Sequence, residues 1–281
     1  MLAALAIHTL WGGNPVAVKL GLEAFPPLWS GFLRFVLGCA CVALWARFSG
    51  ISLLPPRKER AGLAAIGVLF TVQIALMNIG FGLTSASNSA VLIATNPLFG
   101  VLFAHLLVPG DRVSPMRALG VAIAFAGTAL VLARGVPPVH GGGLGDWIVL
   151  ASAALLGLRL AFGGRLLKKY DYVRLTFWQM AVSLPLFLFG GLAFETIRWE
   201  AIGPKPVLGI LYQGIVVAGL AFTVNYHLIR KYTPSVMISF NFVAPVAGVL
   251  LGVAVLGESL TAGLVGGMVL VAAGLVFIAR R

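Results

Sequence analysis

Few residues in this chain carry groups able to do polar chemistry, and their spacing is informative. His8, Trp11 and Pro15 recur at i, i+3 and i+7, so a helix would present them on one face. Further along come Gln73 with Met77, Asn96 with Pro97, Trp178 with Gln179, Tyr212 with Gln213, and Asn241 one turn before Pro245. An aromatic ring stacks on another ring or attracts a cation, and an amide serves either end of a zwitterion. A proline inside a helix removes one hydrogen bond and frees a carbonyl, which can accept from an ammonium group or a water. Met77 offers a flexible apolar wall. These are groups for holding a small amphipathic molecule. Patterns for bond-breaking chemistry, H-E-x-x-H, G-x-S-x-G and the P-loop, do not occur in the sequence.

The elements that must position these groups are membrane-spanning helices. Of the 281 residues, 60% are hydrophobic and 10% charged, and the mean hydropathy is +1.02. Soluble domains carry roughly 45–50% apolar and about 25% charged residues, so composition excludes a soluble enzyme. Apolar runs fall at 2–20, 27–46, 61–83, 87–108, 117–133, 146–166, 175–194, 207–229, 234–256 and 261–279, each near the ~20 residues that a spanning helix needs. The first run lacks the basic n-region and cleavage site of a signal peptide and is expected to be a span. With ten spans, both termini share one side. Fourteen of the 20 Lys and Arg residues, among them Arg57, Lys58, Arg60, Lys168 and Lys169, then lie on that side, with four on the other and two within spans. Cytoplasmic loops are the basic ones, so both termini are expected in the cytoplasm. The net charge of +12 is a topology signal by the same reasoning. The expected partner is the lipid bilayer, not nucleic acid.

The chain also repeats itself. The run 97-PLFGVL-102 matches 245-PVAGVL-250 at an offset of 148, and at an offset of 147 Asp111 meets Glu258, Gly120 meets Gly267 and Gly127 meets Gly274. Leu156-Gly157 stands where the first half has Trp11-Gly12. The expected architecture is an all-α integral membrane protein of two five-helix halves, 1–138 and 139–281. Because five is odd, the second half enters the membrane upside down. Inverted halves support two related conformations, each open to one side, which is the basis of alternating access. Gly248 with Gly252, Gly263 with Gly267, and the series Gly120, Ala124, Gly127 are small-residue patterns that bring helices close, within the chain or across a homodimer. Cys39 and Cys41, two apart on a helix, do not face each other. Neither a disulfide, a metal site nor a cofactor is expected.

Trp11-Gly12-Gly13-Asn14 with Lys19, Pro27 and Arg34-Phe35 around the second span, and the paired Pro…(Asp/Glu)…Gly…Gly endings of both halves resemble the ten-helix EamA-type members of the drug/metabolite transporter superfamily. The resemblance covers essentially the whole chain, and within the superfamily the chain looks most like the YddG-type exporters of aromatic and other amino acids. It implies a multi-pass protein of the bacterial inner membrane that is not an enzyme. It also implies export of amino acids or similar small-molecule substrates by alternating access, with Asn14 among the substrate contacts.

Each candidate also has a packing alternative. Trp11 and His8 can fill space between helices, the prolines can simply kink the bundle, and Trp178 can be an ordinary interface residue. Arg34 and Arg159 are the cations inside spans, where a central charge costs on the order of 2.5–3.5 kcal/mol. Arg34, about seven residues into its helix, is placed to snorkel outward, and a structural or gating role is expected for both. All eight acidic residues lie in loops or at span ends, so no carboxylate is placed to relay protons, and facilitated efflux is expected over proton antiport. An effluxer of organic cations would want a buried Glu or Asp. A multi-span membrane enzyme is the alternative of another class.

Overall fold

A computed structural model of the chain describes residues 2–107, 114–134, 143–231 and 243–279. Among the described residues every regular element is a helix and no strand occurs. The first apolar run forms two helices, α1 (Leu2–Gly12) and α2 (Asn14–Leu22), followed by α3 (Pro27–Phe48) and α4 (Arg57–Leu83). The fourth run is again divided, into α5 (Ala86–Ile93) and α6 (Asn96–Leu107), and α7 (Pro115–Arg134) follows. Then come α8 (Leu144–Leu166), α9 (Tyr172–Phe194), α10 (Pro204–Leu211), α11 (Phe222–Lys231), α12 (Val243–Leu256) and α13 (Ala262–Ala279). Among the described residues six stretches are long and apolar enough to cross a membrane: Pro27–Phe48, Arg57–Leu83, Ala86–Phe103, Leu144–Leu166, Tyr172–Phe194 and Pro204–Asn225. Ala118–Ala133, Val243–Leu256 and Ala262–Ile278 are shorter apolar helices. Phe189, Leu192 and Leu250 are each at least 60% exposed, which is costly in water and costs nothing beside lipid tails that are as apolar as leucine.

Both divided runs follow from proline. Pro15 and Pro97 cannot donate to the carbonyls four residues back, those of Trp11 and Ile93. The chain crosses each gap with tighter i→i−3 bonds: Gly13 N–H donates to the Leu10 carbonyl at 3.2 Å, and Thr95 N–H to the Leu92 carbonyl at 3.1 Å. Between α10 and α11 the winding loosens instead, and Tyr212–Ala221 is a π-helical segment. Gly214 and Gly219, five apart, then face the same neighbour, lying against Leu37 and Cys41 of α3.

Helix starts at one end of the bundle are closed by carboxylates from distant sequence. Glu195, just past α9, accepts from the backbone N–H groups of Leu28 at 3.0 and 2.9 Å and of Trp29 at 3.1 Å. Glu258, just past α12, accepts from those of Ala86 at 2.6 Å and Ser87 at 2.8 Å. Asp146 accepts from the Thr84 hydroxyl and the Asn88 amide. The first N–H groups of a helix have no partner within it, and a carboxylate also meets the positive end of its dipole. At the opposite end Arg174 pairs with Glu59 at 2.9 Å and donates to the Ser52 carbonyl at 3.1 Å.

Glycines make the closest helix crossings. A Cβ on Gly12 would lie 3.0 Å from the Gly248 nitrogen, and one on Gly157 would lie 2.6 Å from the Gly100 nitrogen. On Gly120 it would lie 2.7 Å from the Gly274 oxygen, and on Gly127 2.7 Å from the Gly267 oxygen. The last two contacts make α7 and α13 antiparallel, since position rises along one helix as it falls along the other. A Gly127→Val substitution should lower stability by about 1–3 kcal/mol through overpacking. Val269→Ala, at a side chain 57% exposed, should change it by less than about 0.5 kcal/mol. Thermal unfolding of the purified protein in detergent checks both.

Candidate functional site

The break between α1 and α2 collects the first set of candidates. His8 is buried, and its Nδ1–H donates to the Ala4 carbonyl at 2.8 Å. Its ring meets the edge of Trp11 at 5.2 Å, and Trp11 in turn meets Phe222 of α11 at 6.1 Å. Trp11 Nε1 and Asn14 Oδ1 are buried without a hydrogen-bond partner. Tyr212 and Gln213 reach this segment from the far half of the chain. The Tyr212 hydroxyl donates to the Leu10 carbonyl at 2.7 Å, and Gln213 Nε2 donates to the Ala17 carbonyl at 3.0 Å. Both therefore hold the divided helix in place, and Gln213 Oε1 is left unmatched.

The second break is more self-contained. The carbonyl that Pro97 frees, that of Ile93, accepts from Asn96 Nδ2 at 2.9 Å. Asn96 thus repairs the gap its own neighbour opens, so that carbonyl is engaged within the helix. Pro245 is buried in α12. Asn241 lies outside the described residues.

A third set lies where α3, α4, α8 and α9 pack together. Gln73 Nε2 donates to the Ser152 hydroxyl at 3.0 Å, which donates back to the Gln73 carbonyl at 2.9 Å, while Gln73 Oε1 has no partner. Met77, one turn on, is part of the main apolar core. Arg159 Nη1 donates to Gln179 Oε1 at 2.9 Å, and Gln179 Nε2 is unmatched. The Arg159 guanidinium lies 4.9 Å from the Phe70 ring centre, and that of Arg34 lies 4.9 Å from the Phe35 ring centre. The two rings touch at 4.8 Å. Arg34 does not snorkel as expected, because it is buried to 1% exposure. Trp178 stands apart from this set: its Nε1–H donates to the Leu53 carbonyl at 2.7 Å, in the segment between α3 and α4.

Four participants, Ser152, Ser30, Phe35 and Phe70, had no site role assigned from the sequence. Ser152 and Ser30 are fully buried hydroxyls in apolar runs, which is itself a signal in hydrocarbon. The Phe35–Phe70 pair had no local signature, because phenylalanine is abundant here and the two are brought together only by folding. Among the described residues no group of three or more His, Cys, Asp or Glu side chains is placed to hold a metal ion. The arrangement is a set of unmet donors and acceptors in an apolar bundle.

The EamA-like transporter family model matches residues 1–133 and 143–280. The chain belongs to this family of membrane transporters. It is 26% identical over 278 residues to an uncharacterized transporter of Archaeoglobus fulgidus, covering 97% of this chain and 96% of the relative. It is 24% identical over 267 residues to the uncharacterized inner membrane transporter YedA of Escherichia coli, covering 92% and 83%. It is 26% identical over 283 residues to a probable amino-acid metabolite efflux pump of Salmonella typhimurium, covering 97% and 92%. One solved crystal structure superposes with a TM-score of 0.72 at 21% identity, over 100% of this chain and 98% of that one. Family and relatives make this a multi-pass inner-membrane transporter.

The repairs of the two breaks should be measurable. Asn96→Ala strips the side-chain partner from the Ile93 carbonyl, and Tyr212→Phe removes the stronger of the two bonds to the Leu10 carbonyl, leaving that from Gly13 N–H. Asn96→Ala should cost about 1–3 kcal/mol, the penalty of a polar group left unmet, and Tyr212→Phe about 0.5–1.5 kcal/mol, the net worth of one hydrogen bond. A lowered unfolding temperature in detergent for both variants checks this.

Proposed function

We propose that the protein exports amino acids, aromatic and other neutral ones, or similar small amphipathic metabolites. It does so by alternating access between two inverted five-helix halves, 1–138 and 139–281, with ten spans and both termini in the cytoplasm. The reading is carried by an exchange of glycine contacts. Sequence repetition pairs Gly12 with Gly157, Gly100 with Gly248, Gly120 with Gly267 and Gly127 with Gly274. Apply that correspondence, and the contact of Gly12 with Gly248 becomes that of Gly157 with Gly100, while Gly120 with Gly274 becomes Gly267 with Gly127. A two-fold relation between the halves accounts for this exchange, and with five spans in each half its axis would lie in the membrane plane and invert one half relative to the other.

Substrate class follows from the unmet groups. Acceptors at Asn14, Gln73 and Gln213 suit an ammonium, donors at Trp11, Gln179 and Arg34 suit an oxyanion, and the aromatic and Met side chains suit an apolar body. The Salmonella relative named as a probable amino-acid metabolite efflux pump supports the same class. The test is uptake of labelled phenylalanine, threonine and methionine into liposomes holding the purified protein. Uptake well above empty vesicles is expected, and uptake equal to them would remove the amino-acid assignment. Trp11→Ala should slow the initial rate by about tenfold, the worth of one good aromatic contact, while Val269→Ala leaves it unchanged.

A further inference from the structure

Arg34 is buried to 1% exposure, and its Nε and Nη1 have no hydrogen-bond partner. A buried cation is tolerated when it is paired and hydrogen-bonded. Here the usual partners are committed elsewhere. Glu59 pairs with Arg174, and Asp146 accepts from Thr84 and Asn88. Asp171 caps its own helix, while Glu195 and Glu258 cap α3 and α5. Glu23 and Glu200 are exposed. Among the described residues no carboxylate is left to neutralise Arg34, and the nearby charge of Arg159 adds to the demand for an anion. One turn before Arg34, on the same face of α3, the Ser30 hydroxyl is fully buried and also unmatched. The guanidinium rests over Phe35, which packs on Phe70, so polar donors stand beside an apolar aromatic floor.

We propose that Arg34 binds the carboxylate of the transported solute, with the Ser30 hydroxyl as a second donor and the Phe35–Phe70 pair against the solute's apolar part. This rests on the transporter reading above and makes a carboxylate its required feature. One guanidinium neutralises one carboxylate, and the charge-assisted bonds are of the strong kind. A decarboxylated amine leaves the buried cation unmet and adds a second positive charge beside it, so the site rejects it.

The experiment compares labelled phenylalanine with phenethylamine, its decarboxylated counterpart, in proteoliposomes of the wild-type, Arg34→Gln and Arg34→Lys proteins. Thermal unfolding in detergent with phenylalanine, phenylalaninamide, phenethylamine or benzoate gives a binding readout that needs no transport. In the wild type, uptake of phenylalanine should exceed that of phenethylamine by at least about tenfold, and only phenylalanine and benzoate should raise the unfolding temperature. Arg34→Gln should abolish both preferences, and Arg34→Lys should retain part of them by keeping the charge. Should Arg34→Gln not fold, the reduced but surviving carboxylate preference expected of Arg34→Lys would carry the same support, and a preference equal to wild type would overturn the proposal. The proposal is overturned if wild type moves phenylalanine and phenethylamine equally, or if Arg34→Gln keeps the full preference; amino-acid transport would then stand without it. Stabilisation by benzoate that vanishes in Arg34→Gln, with no amino acid moved, upholds the carboxylate site while removing the amino-acid reading.

Discussion

In hydrocarbon there is no water to satisfy a broken backbone, so any interruption of a helix must be repaired by the protein itself. The rest of this structure depends on that constraint. Two spans are divided by proline, and a side chain bonds a backbone carbonyl beside each division. Asn96 mends from within its own turn, and Tyr212 from the opposite half of the chain. The first repair is local and makes the break a property of one helix. The second ties the shape of α1 and α2 to the position of α10.

Against this background of repaired gaps, the groups left unmet stand out. Leaving a buried charge without its partner costs about 3–5 kcal/mol, a sizeable share of the 5–15 kcal/mol that holds a typical domain folded. Helix caps, tyrosine and amide bridges satisfy their carbonyls and N–H groups fully nearby, so the sequence is capable of satisfying such groups where stability alone is at stake. On the proposed function, the unmet atoms of Trp11, Asn14, Gln73, Gln213 and Arg34 are the ones that a solute completes.

The all-helical, apolar character of the chain and the polar residues within its apolar runs were legible in the sequence, because hydropathy and charge are properties of the chain alone. What those residues touch was not. Trp178 and Gln179 are adjacent in sequence, yet one donates to the Leu53 carbonyl and the other meets Arg159. That divergence depends on which helix faces each side of α9. Arg34 and Arg159 read as separate cations, each within its own span. The Phe35–Phe70 contact, between helices α3 and α4, brings them into one cluster, each guanidinium lying over one of the two rings. The π-helical segment Tyr212–Ala221 had no signal beyond its glycines, since its looser winding is chosen by packing against α3.

The carboxylate caps bear on how such a chain is made. Leu28 precedes its cap Glu195 by 167 residues, and Ala86 precedes Glu258 by 172. At ribosomal speeds of about 5–20 residues per second, those N–H groups wait on the order of ten seconds for acceptors not yet synthesised. The early helices thus enter the bilayer with their leading turns bare and acquire their final bonds only when the later ones arrive. Maturation of the first half is in this way deferred to the completion of the second.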